Sequence, residues 1–363
     1  MLRERQVVNM SKLPISVCII AKNEEKYIEE CLKKIKPYGF EIVVTDTGST
    51  DRTKEIALKY ADKVLDFKWV NDFSAARNFC AANASNNWIL ALDCDEYMES
   101  LNVRILRILM QQNPKDVGVI RLKNIQMRDN DELGYSVDDM PRMYNRNYYI
   151  YTKPIHEQLV KKKDDVDELS GFLIPGEVIH HGYAITGEDM IKKQERNLEI
   201  LYKAIEQEPE NPYFYFQTGC SLQVLHKFEE AAAMYEKGLS FEVNYDKVYV
   251  IEMITSLAFV YSDLGRVDDA INIMEKYSSK CKSANFSFSY ANVLFKNDQP
   301  LKAVVNYLKA TMMPDAHLLG EKLLTCYERI IYIYQKTGNE DLAKPFEQKY
   351  LECRAERERI VNS

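Results

Sequence analysis

The stretch Trp88-Ile-Leu-Ala-Leu-Asp93-Cys94-Asp95-Glu96 decides the fold class of this chain. Its first five residues are apolar without alternation, which is typical of a parallel strand buried on both faces of a sheet. Ligands of open α/β sheets bind beyond the carboxyl ends of such strands, so Asp93 and Asp95 fall at the chemically useful edge. Alternate residues of an extended segment share one side, which predicts that both carboxylates face one hard cation, magnesium or manganese. The alternative for an Asp-x-Asp is a solvated turn or a helix start.

Two strand-to-helix units precede this motif. The first covers Pro14–Glu25, and the second covers Glu41–Asp51 and continues into a helix predicted from Thr53 to Tyr60. Asp46, at the end of the second strand, is placed to hydrogen-bond a pyrimidine N–H or ribose hydroxyls. Gly48 is the only glycine of that turn, and no G-x-G-x-x-G follows the first strand, which disfavours a dinucleotide site.

A third unit, Trp69–Asn78, places Phe73 and Arg77 at helical spacing. Arg77 is therefore predicted near the same edge, where its planar guanidinium suits a phosphate or the polar rim of a nucleotide. The alternative is a surface ion pair with a neighbouring carboxylate. For Asp51 the alternative to ligand binding is helix capping.

Several motifs, in this order, give the chain a resemblance to a known family. Four of them resemble a family 2 glycosyltransferase with the GT-A fold: Ala21-Lys-Asn23-Glu24-Glu25, Asp46-Thr-Gly-Ser-Thr-Asp51, Ser74-Ala-Ala-Arg77-Asn78 and Asp93-Cys-Asp95-Glu96. Three later segments resemble the subgroup with tetratricopeptide repeats (TPR) after the catalytic domain: Pro141-Arg142-Met-Tyr144, Ile155-His156-Glu157 and Val178-Ile-His180-His181-Gly182-Tyr183. Within it, the segments are similar to enzymes that glycosylate cysteine or serine of sublancin-type bacteriocin peptides.

The resemblance implies transfer of a hexose-type sugar from a nucleotide diphosphate donor, usually a uridine one, with inversion at the anomeric carbon. A divalent ion bridging the diphosphate would stabilise the leaving group. Asp95 and His180 are then the expected metal ligands, with His181 as the alternative ligand, and an imidazole favours Mn²⁺ over Mg²⁺. The alternative for His180 is a histidine that packs in the interior or titrates with pH and does not bind the metal. The residues expected at the donor are Ala21, Asn23, Glu24, Asp46, Arg77 and Asp93.

An inverting displacement needs an acceptor-side base, which contributes about two to four orders of magnitude. Glu157 matches the His-Glu segment of the family and is the expected base. Asp138 and Asp139 are held in reserve for that role. The alternative for Glu157 is that it orients a histidine or caps a helix.

The second half changes to helical patterns near Gly187. Alanines recur there roughly every 33 to 40 residues, against about 34 for the TPR unit. These alanines, which let paired helices approach closely, are Ala231, Ala270, Ala303 and Ala343. Glycines are expected to end or turn helices at positions 219, 238, 265 and 338. Such repeats offer a groove for an acceptor peptide, or a surface for homodimerisation or scaffolding.

Composition limits the alternatives. The 363 residues suffice for two domains, and a formal charge of −7 without a basic patch argues against nucleic acid. No apolar run suits a signal peptide or a membrane span, and eight scattered cysteines fit reduced thiols, so a cytoplasmic enzyme is expected. The predicted layout is a flexible leader over 1–12, a GT-A domain over 13–186 and an all-α TPR-like domain over 187–363. The alternative functions are a transferase for a cell-surface or lipid-linked saccharide, and a TPR partner-binding module with a degenerate transferase domain.

Overall fold

The computed structural model describes residues 12–127, 133–162, 169–183 and 188–361. By their contacts these residues form two compact units, one from residues up to 122 together with 139–181, the other from 123–138 together with residues from 182 onward. Only Lys12 of the predicted leader is described, and the predicted boundary between residues 186 and 187 lies outside the described ranges.

The order of elements confirms the predicted fold class, because strands alternate with helices first and helices alone follow. The strands are β1 (Ile15–Ala21), β2 (Glu41–Asp46), β3 (Lys63–Asp66), β4 (Trp88–Leu92), β5 (Glu96–Leu101), β6 (Val117–Met127), β7 (Leu133–Asn145), β8 (Tyr149–Thr152), β9 (Gln158–Lys161), β10 (Gly171–Leu173) and β11 (Gly176–Tyr183). The helices are α1 (Ile28–Ile35), α2 (Thr53–Tyr60), α3 (Phe73–Asn83), α4 (Val103–Gln112), α5 (Glu188–Gln207), α6 (Pro212–Val224), α7 (Phe228–Leu239), α8 (Val248–Asp263), α9 (Val267–Tyr277), α10 (Ala284–Lys296), α11 (Pro300–Met312), α12 (Lys322–Lys336) and α13 (Glu340–Val361).

A mixed sheet organises the first unit, with strand order β3-β2-β1-β4-β7-β6-β11-β5 and β10 beside β6. The strands β3, β2, β1 and β4 run parallel, whereas β7 is antiparallel to β4. The carboxyl ends of β1, β2 and β4 therefore share one edge of the sheet. Strand β7 lies beside β4. This is the edge at which the predicted donor-binding residues Ala21, Asp46 and Asp93 leave the sheet.

The sheet is covered on both faces, which explains why its central strands lack polar alternation. Ile15, Val17 and Ile19 of β1 pack into a cluster with α1 and α2. Cys18, from the opposite face of the same strand, packs instead with Cys80 of α3. The β1 and β4 sequences are thus apolar because both faces of each strand are buried.

The helices after residue 188 pack as consecutive pairs, α6 with α7, α8 with α9, α10 with α11 and α12 with α13. The four alanines predicted at the close approaches are all buried, with at most 1% of their surface exposed: Ala231, Ala270, Ala303 and Ala343. Small side chains at these points let the paired backbones approach. The region is therefore a TPR-like helical array.

One glycine expectation is wrong. Gly265 and Gly338 follow α8 and α12 with φ near +73°, a left-handed conformation that favours glycine. Gly219, however, lies inside α6, where an added Cβ would come within 2.4 Å of the Tyr235 ring. Its physical role is to admit that fully buried ring, and Gly238 in the last turn of α7 similarly admits Met253.

No helix within the described ranges is both long and apolar enough to cross a membrane. All eight cysteines are free thiols, and six of them are buried.

Candidate active site

An alternating network of charges lies at the carboxyl edge of β4, and we call it the ion-pair network. Its members are, in order of contact, Glu157, Arg77, Asp93, Arg142 and Glu96. Arg77 Nε donates to Glu157, and its Nη2 donates to Asp93 Oδ1 at 2.8 Å. Arg142 Nη2 donates to Asp93 Oδ2 at 3.0 Å and to Glu96 Oε1 at 2.5 Å. Asp93 is thus held between two arginines.

The helix that carries Arg77 begins where a polar cap and a loop both fix it. Asp72 is the N-cap of α3, and its Oδ1 accepts the backbone N–H of Ala75 at 2.9 Å. The N–H of Phe73 donates to the carbonyl of Pro154 at 2.8 Å, in the segment between β8 and β9 that carries Glu157. In that segment Lys153 and His156 have φ of 79° and 51°, a strained conformation of the kind that clusters at functional sites.

The pKa values follow from burial opposed by the arginines. Burial alone would raise the pKa of Asp93, but the charges of Arg77 and Arg142 hold that pKa well below its ordinary value. Burial is likewise outweighed at Glu157, whose pKa Arg77 lowers. At Glu96 burial prevails and its pKa is raised, although Arg142 opposes this. Asp93 and Glu157 are therefore carboxylate anions at neutral pH.

The residues of the Asp-x-Asp motif form a turn, and the expectation of an extended segment is wrong. The N–H of Glu96 donates to the carbonyl of Asp93 at 3.2 Å, which closes the turn directly after β4. The two carboxylates consequently have different partners. Asp95 Oδ2 lies 3.3 Å from His180 Nε2, while Asp93 contacts the arginines. Cys94, between the two carboxylates, is buried.

Asp95 and His180, the two predicted metal ligands, are thus neighbours. Burial would lower the pKa of His180, but the hydrogen bond and charge of Asp95 raise it overall. His181, the alternative ligand, is tied to Asp95 through its backbone instead, because its N–H donates to the Asp95 carbonyl at 2.9 Å. The His181 ring lies 4.6 Å from that of Tyr97.

The side chains of Asp95 and His180 fit a divalent ion that takes some of its ligands from the protein and the others from a substrate. Mg²⁺ and Mn²⁺ accept carboxylate oxygens, and such ions commonly use one or two carboxylates and complete their shell with water and substrate phosphate. In the part of the chain that the structure describes, no group of three or more His, Cys, Asp or Glu side chains could hold a metal by itself. Asp95 and His180 would supply two ligands to such an ion, and water or phosphate oxygens would supply the others.

The loops after β1 and β2 are hydrogen-bonded to each other. Asn23, at φ 56°, accepts the N–H of Thr50 through Oδ1 at 2.8 Å, and its own N–H donates to Ser49 Oγ at 3.0 Å. The N–H of Glu24 donates to Thr53 Oγ1 at 2.6 Å. These contacts bring Asn23 and Glu24, two predicted donor-binding residues, beside the start of α2.

Two acidic side chains and one carbonyl shape the second of these loops. Asp46 is 5% exposed, and its Oδ2 accepts the N–H of Gly48 at 3.2 Å and of Ser49 at 3.1 Å. The carbonyl of Ala21 accepts the N–H of Thr47 at 2.9 Å. Asp51 accepts the N–H of Thr53, the first residue of α2, at 2.9 Å, in agreement with the capping alternative. Ala21 and Asp46 are thus adjacent at one edge.

The reserve candidates for the base have other partners. Asp139 forms a two-pronged ion pair with Arg121, at 2.9 and 3.1 Å. Asp138 belongs to the second unit, where it accepts a hydrogen bond from Asn124 at 2.6 Å.

Sequence reasoning assigned no role to three residues of the site. Glu96 and Arg142 were visible only as parts of matching motifs, and Tyr151 gave no signal. The Arg77 guanidinium lies 5.6 Å from the centre of the Tyr151 ring. Tyr151 Oη, Arg77 Nη1 and Arg142 Nε are buried polar atoms without a hydrogen-bond partner among the described residues. These three atoms can therefore still form hydrogen bonds to a ligand or to water.

The chain is similar in sequence to known glycosyltransferases. Residues 16–172 match the protein family described as "Glycosyl transferase family 2". The chain is 25% identical over 333 residues to the SPbeta prophage-derived glycosyltransferase SunS of Bacillus subtilis (strain 168), covering 88% of this chain and 76% of that protein. It is 28% identical over 268 residues to a TPR repeat-containing protein of Synechococcus elongatus, covering 71% of this chain and 64% of that protein.

Among solved structures, YrrB, described as a TPR protein with an unusual peptide-binding site, aligns at a TM-score of 0.36 with 17% identity, covering 48% of this chain and 84% of its own. The family match covers the ion-pair network, the two loops and most of the sheet, whereas β11 with His180 lies beyond it. Residues 16–172 therefore form a family 2 glycosyltransferase domain, and TPR-like helical repeats follow it.

Proposed function

We propose that this glycosyltransferase moves a hexose-type sugar from a uridine diphosphate donor to a cysteine or serine side chain of a peptide or protein, with a divalent ion and with inversion. One observation carries the proposal. The ion-pair network, the Asp95–His180 pair and the two hydrogen-bonded loops after β1 and β2 all lie at one sheet edge. Bacteriocin-type peptides are the first acceptors to test. The helical repeats are the proposed acceptor-binding element, since such arrays offer extended binding surfaces.

On the donor side, the loops after β1 and β2 hold their polar groups in place by hydrogen bonds to each other. Asp46 is buried and held by two backbone N–H groups, so its carboxylate is already oriented before a base or ribose binds. Asn23 and Glu24 follow Ala21 in the first of these loops. We assign these four residues to the nucleoside, because carboxylate and amide groups select a nucleobase edge and ribose hydroxyls by hydrogen bonding.

The diphosphate belongs at Asp95 and His180. A divalent ion bound there supplies positive charge to the leaving diphosphate oxygens. Asp93 neighbours this position but is already neutralised by Arg77 and Arg142, which suits it to accept hydrogen bonds from ribose hydroxyls or from water rather than to bind the ion directly.

On the acceptor side, we assign the base to Glu157. The acceptor oxygen or sulfur attacks the anomeric carbon, the bond from that carbon to the diphosphate oxygen breaks, and the diphosphate leaves with the electron pair. Glu157 takes the acceptor proton. Its ion pair with Arg77 fixes the carboxylate and keeps it anionic, and the lowered pKa makes it a weak base. A thiol acceptor, which ionises near pH 8.5, demands less of such a base than a hydroxyl does.

The first prediction concerns the donor. In thermal-shift and calorimetric titrations, UDP or a UDP-sugar is expected to stabilise the protein with Mn²⁺ or Mg²⁺ and to lose most of this effect with a chelator, because Asp95 and His180 would hold the ion and the ion would supply positive charge for the diphosphate. A ligand at 100 times its Kd stabilises by about 2.7 kcal/mol, which is readily measured. Stabilisation by GDP alone would replace uridine in the proposal. Stabilisation by no nucleotide under any metal condition would overturn it.

The second prediction concerns the base. Glu157→Gln is expected to reduce transfer by about 10²- to 10⁴-fold while UDP binding is retained, because the amide keeps the shape but does not accept the proton. The measurement is transfer to Cys- and Ser-containing peptides, followed by mass spectrometry. Glu99→Gln is the matched control, since Glu99 forms a peripheral ion pair with Lys34 at 2.9 Å. Unchanged transfer by Glu157→Gln would move the base to Asp138 or Asp139, and transfer only to saccharides would favour the saccharide-building alternative.

A further inference from the structure

Arg142 of β7 closes a ring of hydrogen bonds around the Asp93–Glu96 turn. Its Nη2 bridges the carboxylates of Asp93 and Glu96, at 3.0 and 2.5 Å. The other oxygen of Glu96 accepts the backbone N–H of Asp93 at 3.0 Å. Asp93 is consequently fixed at both its backbone and its side chain by one pair of residues, Arg142 and Glu96.

This pair is buried to an extent that stability alone does not explain. Glu96 is 0% exposed and Arg142 is 9% exposed. Taking two charges out of water is costly, and well-packed apolar residues in place of a buried ion pair are often as stable or more stable. What an apolar pair does not supply is a directional hold on the Asp93 carboxylate.

We propose that Arg142 is a positioning residue of the transferase: with Glu96, it orients the Asp93 carboxylate and the turn that presents Asp95. The inference rests on the proposed role of this turn in donor binding. Arg142 hydrogen-bonds Asp93 and Glu96 at the two ends of the turn, so it acts on Asp95 through Asp93 and the turn. It is also distinct from Arg77, which joins Asp93 to the acceptor-side Glu157.

The turn has a second support, which makes the proposal testable in a folded variant. The thiol of Cys31, on α1, lies 3.6 Å from the Asp93 carbonyl and 3.4 Å from the Glu96 carbonyl, and donates to them. The backbone of the turn therefore keeps an anchor when Arg142 is replaced. The orientation of the Asp93 carboxylate loses one of its two arginines.

The test compares Arg142→Met and Arg142→Lys with Arg146→Met. Arg146 is a matched structural arginine, because its Nη1 donates to the carbonyls of Ala81 and Ala84 at the end of α3, at 2.6 and 2.8 Å. Arg142→Met is expected to lower kcat about 10- to 100-fold and to weaken metal-dependent UDP binding, as loss of an outer-shell partner typically does. Arg142→Lys, which keeps a positive donor, should recover part of both. Arg146→Met should lower thermal stability and leave kcat unchanged.

Two outcomes would overturn the proposal: wild-type kcat in Arg142→Met, or equal losses in Arg142→Met and Arg146→Met that follow thermal stability. A crystal structure of Arg142→Met separates this inference from the proposed function. If the wild-type protein transfers no sugar, the proposed function fails, yet the positioning role still requires the Asp93 carboxylate to leave its present orientation in the variant. An unmoved Asp93 overturns the positioning role whatever the activity.

Discussion

Replacing Asp95 with asparagine is expected to reduce sugar transfer by about 10²- to 10³-fold and to abolish metal-dependent nucleotide binding. The amide keeps the size of the side chain but removes the charge that the ion requires. Asp95 is partly exposed, with 19% of its side-chain surface accessible, and its carboxylate has one described ion-pair partner, His180 at 3.3 Å. Because the substitution weakens this one contact, it is expected to lower the free energy of unfolding by about 1 kcal/mol, which leaves the protein folded.

The measurement is transfer rate together with Mn²⁺ and UDP titration by calorimetry, with urea unfolding as the check on folding. Asp116→Asn is the matched control, because Asp116 is a partly exposed carboxylate, like Asp95, and accepts a hydrogen bond from Ser170 at 2.6 Å. It should bind metal and nucleotide as the wild type does. If Asp95→Asn transfers sugar at the wild-type rate and a chelator still stops it, the ion is held elsewhere and Asp95 leaves the proposed site.

Local sequence patterns predicted the elements that place this site. The apolar run before Asp93 is β4, and the predicted helix from Thr53 to Tyr60 is α2 with the same bounds. These predictions succeed because strand and helix periodicity are properties of neighbouring residues. Since the carboxyl ends of parallel strands meet at one edge, the grouping of Ala21, Asp46 and Asp93 also followed.

The partners of the charged residues were beyond local pattern. Arg77 was expected near the sheet edge, with a surface ion pair as the alternative. Its ion pair is buried instead, with Arg77 6% exposed, and the partner Glu157 lies 80 residues further along the chain. Arg142 reaches Asp93 because β7 lies beside β4, with Met143 opposite Leu90, and that strand order is set by the whole sheet. The extended reading of the Asp-x-Asp motif failed because a single backbone hydrogen bond, from Glu96 to Asp93, turns the chain there.

The largest stability loss is expected at Arg77. Arg77→Met removes the central cation of the ion-pair network and leaves Glu157 without its arginine and Asp93 with only Arg142. Breaking a buried pair by removing one partner typically costs about 3–5 kcal/mol, because a charge remains buried without compensation. Urea unfolding of Arg77→Met should therefore show a free energy of unfolding lower by that amount. Arg121→Met, which breaks the more exposed pair with Asp139, should cost no more than about 1 kcal/mol.

A second substitution tests the cause of that loss. Adding Glu157→Gln to Arg77→Met removes the uncompensated charge, so the double variant should regain part of the lost stability, although Glu157→Gln alone destabilises. Such opposite effects in the two backgrounds measure a coupling between residues in contact. If the two losses simply add, Arg77 contributes through the packing of its aliphatic part and of the Tyr151 ring. The ion pairs of Arg77 with Glu157 and Asp93 would then not account for the loss of stability.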